Sequence, residues 1–271
     1  MKRVIYILLI VLLLGVFLAA GLHVLEILTE YRAGEKTYQE MDQFISLPEP
    51  TQAKKQDTIM SDKENVQEAE PQEAEPQEDE EILWPIVDFD SLRQINGDVI
   101  GWIYIPDTNV SYPVVQGANN DQYLHRLITG EYNSSGSIFL EAQIPADFSM
   151  QNNPIYGHNM KNGAMFAGIT GYKSQDFYDE HPVAMLLTPD SNYLVHIFSG
   201  YVTDAWADAW ELAFMQADFQ RWLDDRVRKS YFVSETIPTT ADRVLTFSTC
   251  SYETYEGRFV VHGVLEEIPK K

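Results

Sequence analysis

The chain has 271 residues, with 41 acidic against 19 basic side chains and a net charge of −22 at neutral pH. The acidity is shared between the first 82 residues, net −10, and the remainder, net −12, so the predicted folded part is itself anionic. This balance excludes a nucleic-acid-binding protein, which would neutralise phosphates with clustered Lys and Arg. The single cysteine, Cys250, excludes an intrachain disulfide.

The first predicted element is an apolar helix at the N-terminus. Lys2 and Arg3 precede an uncharged run from Val4 to Leu22, long enough to span a hydrocarbon core of about 30 Å. We interpret residues 1–23 as an uncleaved membrane anchor with a cytoplasmic N-terminus, which places the rest of the chain outside the cell. A cleaved signal peptide is the alternative, but its apolar region would usually be only about 7–15 residues long.

Residues 24–82 are predicted to form an acidic extracellular linker. Within it, the stretch 67–71 (Gln-Glu-Ala-Glu-Pro) repeats directly as 72–76, and four acidic residues follow at 78–81. Such a segment has too little apolar surface to offset the entropy of ordering it, and its like charges repel one another. We therefore expect a solvated spacer.

Residues 83–271 are predicted to form one domain that is mainly β with added helices. A short helix is expected from Asp88 to Ile95, capped by Asp88 or Asp90. A longer helical region is expected from about Ala205 to Lys229, broken near Asp218. Short apolar runs, most of them flanked by Gly, Pro, Asn or Asp, predict strands of a closed or nearly closed barrel, at 99–105, 110–115, 137–140, 154–156, 183–187, 193–198, 243–245 and 258–261.

Cys250 is the first candidate for chemistry. It ends the run Thr246-Phe247-Ser248-Thr249-Cys250, and Arg258 opens the next predicted strand eight residues later. A thiol attacks a carbonyl effectively only as the thiolate, which cationic neighbours support. His158, in a turn-like Tyr-Gly-His-Asn context, is the candidate base. The competing interpretation is an inert buried cysteine, which is common for a single thiol.

Several motifs together resemble one family. Residues 246–250 are similar to the sortase signature T-L-x-T-C, with Phe in place of Leu. Residues 155–160 followed by 163–166 resemble the histidine motif of class B sortases, and 258–263 resemble their closing arginine strand. The likeness extends through 101–103, 112–116 and 120–124, so it covers most of residues 86–266 in chain order. Ser251 departs from class B members that carry an acidic residue there.

This resemblance implies a fold, a reaction and a site. The fold would be an eight-stranded β-barrel with N-terminal helices and a long, possibly broken, helical region before the cysteine strand. The activity would be that of a membrane-anchored cysteine transpeptidase of Gram-positive cell surfaces. Cys250 would be the nucleophile, His158 the general acid/base, and Arg258 the residue that stabilises the oxyanion or substrate. Asn120, Leu124 and Ser248 would contact the peptide, although Leu124 is equally explained by core packing and Asn120 by a turn.

The implied substrates are surface proteins with an N-P-x-T-N-like sorting signal, and the implied acceptor is an amine of a peptidoglycan precursor. Three alternatives remain open: a pilin-polymerising sortase that uses a lysine, a hydrolase that releases the peptide to water, and a non-catalytic anchored surface-binding module. No cofactor is expected, and no His/Cys/Asp cluster has the spacing of a metal site. His262 lies about 13 Å along the strand from Arg258 and is expected to pack or to face solvent.

Overall fold

The computed structural model describes residues 2–47, 83–253 and 255–270. Its centre is a closed barrel of eight strands in the order β10-β8-β7-β3-β4-β5-β6-β9. The pairs β4–β5 and β6–β9 are parallel and the other neighbours in the barrel are antiparallel. The eight-stranded barrel is therefore confirmed. The strands are β3 Val99–Tyr104, β4 Ser111–Val115, β5 Ile138–Leu140, β6 Asn152–Tyr156, β7 Val183–Leu187, β8 Ser191–Asp204, β9 Val244–Cys250 and β10 Gly257–Pro269.

The barrel interior holds the main apolar core. Trp102 on β3, Phe247 on β9 and Phe259 on β10 are fully buried there. Because side chains alternate along a strand, inward-facing Phe247 leaves Thr246, Ser248 and Cys250 on the outer face of β9. The outer face of β9 thus carries polar side chains that form part of the candidate active site.

The N-terminal helix α1, Lys2–Met41, has two different halves. The side chains of Val4 to Leu22 are exposed. Within the described ranges, α1 is the helix that is long and apolar enough to cross a bilayer. A signal sequence meets the same criterion of length and apolar composition. The second half packs on the barrel domain through Gly34, Tyr38 and Met41, which are buried. A Cβ on Gly34 would lie 2.7 Å from Ser135 Oγ, so only glycine allows this close approach.

Polar contacts fix the same half of α1. The Tyr38 hydroxyl donates to the Gly136 carbonyl (2.5 Å), and Asn133 Nδ2 donates to the Glu30 carbonyl (2.9 Å). A 3-10 turn, Asp42–Phe44, then leads to strand β1, Ile45–Ser46, which pairs antiparallel with β2, Ile86–Val87. Of the expected linker 24–82, residues 24–47 thus lie in α1, this turn and β1, and residues 48–82 lie outside the described residues.

The other helices are shorter. Helix α2, Phe89–Ile95, begins where expected, and its Asp88 cap accepts a hydrogen bond from Ser91 N (3.0 Å). Helix α3 spans Gln175–Glu180. Helix α4, Gln216–Lys229, covers the outer face of the barrel.

The prediction of a long helical region from Ala205 was wrong for the first half of that region. Residues 205–215 contain only a 3-10 turn, Asp208–Trp210, and α4 begins at Gln216, with Asp218 in its first turn instead of at a new cap. The reason is visible in the hydrogen bonds. The Asp208 carbonyl accepts from Glu211 N within the 3-10 turn and from the Trp222 side chain, and the carbonyls of Ala209 and Glu211 accept from the Asn152 side chain in place of the amides of a continuing helix.

Candidate active site

Cys250 and Arg258 are placed by strand register. Cys250 is the last residue of β9, and Arg258, the second residue of β10, is its direct partner across the antiparallel pair. Directly opposed side chains share a face, with Cβ atoms about 5 Å apart. The cysteine is half-buried, and Arg258 Nη1 donates to the carbonyls of Glu256 (3.2 Å) and Gly257 (3.1 Å). A cation therefore lies beside the thiol at the mouth of the barrel.

His158 reaches the same place from the end of β6. Gly157 N continues the parallel ladder by donating to the Ser248 carbonyl (3.1 Å). Asn159 Nδ2 donates to the Cys250 carbonyl (2.8 Å), and Asn159's own carbonyl accepts from the Tyr252 hydroxyl (2.8 Å). These bonds hold the histidine loop against the strand that ends in Cys250. Sequence reasoning gave Asn159 no role, and its position next to His158 was the only available signal.

The His158 ring is fixed by residues 124–125. Its Nε2 lies 2.7 Å from the Leu124 carbonyl, and the His125 ring stacks on it with centroids 5.3 Å apart. Since a carbonyl only accepts, Nε2 carries the proton and Nδ1 keeps its lone pair in the neutral ring. Burial lowers the pKa of His158; the Leu124 hydrogen bond opposes this, while His125 and Arg258 add to it. Neutral His158 is therefore the dominant form near pH 7.

Asn120 is held in a hydrogen-bonded frame. Its Oδ1 accepts from Ala142 N (2.8 Å), and its Nδ2 donates to Glu141 Oε2 (2.8 Å). The same carboxylate oxygen accepts from the Tyr156 hydroxyl (2.8 Å). Glu141 is buried, and burial together with Glu141 raises the pKa of Tyr156. The frame sets the direction of the Asn120 amide. Sequence reasoning missed Glu141, since no local pattern connects it with Asn120.

One cleft of about 740 Å³ collects all six residues that the sequence analysis proposed as site residues. Leu124 is half-buried and lines the cleft, as does Ser248, which is almost fully buried. Residues 205–211, which we call the loop wall, close one side with Trp206, Asp208, Trp210 and Glu211. These residues carry the aromatic spacing of a helix, so their sequence does not predict that they line a cleft.

The two polar residues Ser251 and Glu253, which follow Cys250, have partners of their own. Ser251 is buried and its N–H donates to the Gly257 carbonyl (2.9 Å). Glu253, the first carboxylate after the cysteine, forms an ion pair with Lys173. Its charge is thus directed at a lysine, and the cationic group opposite Cys250 is Arg258.

Comparisons with known proteins agree with this geometry. The family model described as "Sortase domain" matches residues 103–266. Sortase B of Listeria monocytogenes is 38% identical over 177 residues, covering 64% of this chain and 72% of the relative.

Solved structures show the same likeness. A Staphylococcus aureus sortase B–substrate complex aligns with a TM-score of 0.64 at 32% identity, covering 66% of this chain and 85% of that chain. Sortase B from B. anthracis in complex with AAEK1 aligns with a TM-score of 0.69 at 26% identity, covering 89% of this chain and 100% of that chain. The family match spans more than half of the 271 residues. The chain therefore belongs to the sortase family of cysteine transpeptidases and resembles its class B members.

Proposed function

We propose that this protein is a membrane-anchored transpeptidase that cleaves an N-P-x-T-N-like sorting signal through a thioester on Cys250. It transfers the cleaved protein to an amine of a peptidoglycan precursor. The observation that carries this proposal is the meeting of Cys250, Arg258 and His158 in one cleft, two of them on directly paired strand positions. A related S. aureus enzyme has been solved as a complex with its substrate.

The first step forms the thioester. Nδ1 of neutral His158 takes the thiol proton, and the Cys250 sulfur attacks the scissile carbonyl carbon. The Arg258 guanidinium stabilises the resulting oxyanion, an effect typically worth roughly 3–4 kcal/mol per donor. His158 then donates its proton to the departing amine, the C–N bond breaks, and the substrate's N-terminal part remains as an acyl group on sulfur.

The second step reverses these roles with a new amine. Neutral His158 takes a proton from the attacking amine while nitrogen adds to the thioester carbonyl, and the C–S bond then breaks to release an amide and the thiol. The lowered pKa of His158 favours the neutral form that this step requires at pH 7. The Leu124 carbonyl keeps Nε2 as the donor, so Nδ1 is the atom that exchanges protons.

Asn120, Leu124 and Ser248 are the proposed peptide contacts. All three line the cleft, and the Glu141 frame directs the Asn120 amide. The proposed domain arrangement is an anchor at residues 1–23, a catalytic domain at 83–271, and the acidic linker between them. The docked half of α1 packs on the catalytic domain.

Intact-mass measurement tests the chemistry. The full chain in detergent, beside Cys250→Ala, is mixed with an N-P-x-T-N peptide and quenched in acid. We expect a thioester adduct on the wild type alone, discharged by diglycine to an amide product. A lysine amine that discharges it faster than diglycine would favour the pilin alternative, and discharge to water alone would indicate a hydrolase. A thiol that forms no adduct and also resists alkylation would reject the enzyme proposal.

A further inference from the structure

The loop wall, residues 205–211, is held in place by side chains. Within it the backbone closes only turn hydrogen bonds, Ala207 N to Asp204 O (3.1 Å) and Glu211 N to Asp208 O (3.2 Å). Asn152 Nδ2 donates one hydrogen to the Ala209 carbonyl (3.1 Å) and the other to the Glu211 carbonyl (2.8 Å). One amide group therefore holds the middle of the 3-10 turn and the residue that follows it.

A buried chain of hydrogen bonds sets the orientation of that amide. Thr246 Oγ1 donates to Asn152 Oδ1 (2.6 Å), so Nδ2 must point towards the loop wall. His262 Nδ1 lies 2.8 Å from Thr246 Oγ1 and supplies the hydrogen that this hydroxyl accepts, while His262 Nε2 faces the Tyr201 hydroxyl (3.3 Å). Asn152, Thr246 and His262 are all fully buried. Each donor in this chain has an acceptor, and reversing the amide would break it.

His262 takes part in this chain as the neutral ring that carries its hydrogen on Nδ1. Burial lowers its pKa well below the usual value, and the charges of Arg226 and Lys229 lower it further. The aromatic rings of Phe198, Tyr201 and Trp222 surround its imidazole at centroid distances of 6.0, 5.6 and 5.4 Å. The histidine that we expected to pack or to face solvent is therefore packed, and it takes part in a hydrogen-bond chain leading to the cleft.

Helix α4 also holds the loop wall. Arg226 is fully buried and donates to Asp208 Oδ1 (2.7 Å), with its guanidinium over the Trp222 ring at 4.9 Å. Trp222 Nε1 donates to the Asp208 carbonyl (2.7 Å). The loop wall is thus attached to the strand face through Asn152 and to α4, and Trp206 Nε1 at its exposed start donates to Glu256 Oε2 (3.3 Å).

The strand attachment leads to Cys250. Thr246 and Cys250 lie on the same face of β9, because side chains repeat every two residues. We propose that Asn152 is a positioning residue that ties the loop wall to the strand carrying the nucleophile, and so sets the width of the cleft for the peptide. This inference rests on the proposed function. A loosened wall would bind peptide more weakly and admit water to the thioester.

A matched pair of substitutions tests the inference in the full chain. Asn152→Asp keeps the side-chain shape but replaces both N–H donors with an oxygen. Asn153→Asp is the control, because Asn153 is equally buried and also donates to two carbonyls, those of Met150 (2.7 Å) and Val244 (3.0 Å), away from the loop wall. Both changes lower stability, so the melting temperature alone does not separate them.

Three measurements separate the two variants. For Asn152→Asp alone we expect faster amide hydrogen exchange at residues 207–211. We also expect KM for the sorting peptide to rise about tenfold, the factor for about 1.4 kcal/mol of lost binding, and a larger hydrolysed share of the thioester. Equal changes in both variants, or in neither, would overturn the proposal.

A second variant covers the case in which Asn152→Asp does not fold. Asp208→Asn weakens the α4 attachment from its more exposed end, where the Asp208 side chain is 59% accessible. It should speed exchange at 207–211 and increase the hydrolysed share in the same direction, and unchanged exchange would show that side-chain attachments do not hold the loop wall in place. The exchange measurement needs no substrate. If the wild type forms no thioester, the proposed function is rejected. The exchange measurement still tests whether side chains hold the loop wall in place.

Discussion

The two sides of the cleft are built in different ways. On one side, Cys250 and Arg258 are held by backbone pairing between β9 and β10. On the other, the loop wall is held by the side chains of Asn152, Trp222 and Arg226. Backbone register tolerates most substitutions, whereas a side-chain attachment is lost with a single one. Under the proposed function, the reacting groups lie on the more robust side, and the shape of the peptide site depends on the more easily altered side.

Removing the cation from the strand side should have the largest effect. We expect Arg258→Ala to slow thioester formation about 100- to 1000-fold, as for loss of an oxyanion donor, with Arg258→Lys in between. The measurement is the rate of adduct formation by rapid quench and mass spectrometry. Arg243→Ala is the control, because Arg243 lies at the other end of β9 and pairs with Glu267. An equal loss in both variants would mean that Arg258 acts only through stability.

His262, in the hydrogen-bond chain that holds the loop wall, should make the free energy of unfolding depend on pH. The folded state resists protonation of His262, because burial lowers its pKa, whereas the unfolded chain takes up a proton near pH 6.5. This stabilisation is therefore complete above about pH 6.5 and is lost as pH falls, at about 1.4 kcal/mol per pH unit. Urea unfolding followed by tryptophan fluorescence at pH 7.5 and 5.5 measures it. His262→Asn should show a flatter dependence, and an unchanged slope would contradict the assignment.

The link between the histidine loop and β9 should have an intermediate effect. Asn159→Ala removes the donor to the Cys250 carbonyl, so the position of His158 is less well defined. We expect thioester formation to slow about tenfold, as for one hydrogen bond worth about 1.4 kcal/mol. Asn162→Ala in the same loop is the comparison, since Asn162 accepts only from Ala164 N. A rate loss in Asn162→Ala of the same size would show that loop stability, and not this bond, is responsible.

The smallest effect is expected at the Asn120 frame. Glu141→Gln replaces the carboxylate with a neutral amide, which accepts weaker hydrogen bonds from Asn120 and Tyr156. The direction of the Asn120 amide is then less well fixed. We expect KM for the sorting peptide to rise about threefold with kcat unchanged, because neutral hydrogen bonds are weaker than charge-assisted ones. Steady-state kinetics measure this. Exposed Glu131→Gln is the control, and a change in kcat at Glu141 would place the carboxylate closer to the chemistry than we propose.

The difference between backbone pairing and side-chain attachment also explains which parts of the fold and of the site the sequence predicts. Cys250 and Arg258 are close in the chain and lie on successive strands, so a local motif contains both, and the barrel follows from strand patterns. Asn152 acts on carbonyls 57 and 59 residues away, and Glu141 meets an asparagine 21 residues away. No local pattern records such contacts. The aromatic spacing of Trp206, Trp210 and Phe214 resembles a helix, but side chains from elsewhere occupy the carbonyls that a helix would need.

The β1–β2 pair bears on whether the acidic segment sets the distance between the membrane and the catalytic domain. Ser46 and Ile86 are direct partners in this pair, and the acidic segment lies between them in the chain. The segment between them is therefore an insertion in a hairpin. With the apolar half of α1 in the bilayer as proposed, the distance from membrane to domain is set by the helix between Leu22 and Gly34, about 18 Å at 1.5 Å per residue. Lengthening or recharging the acidic segment would leave that distance unchanged.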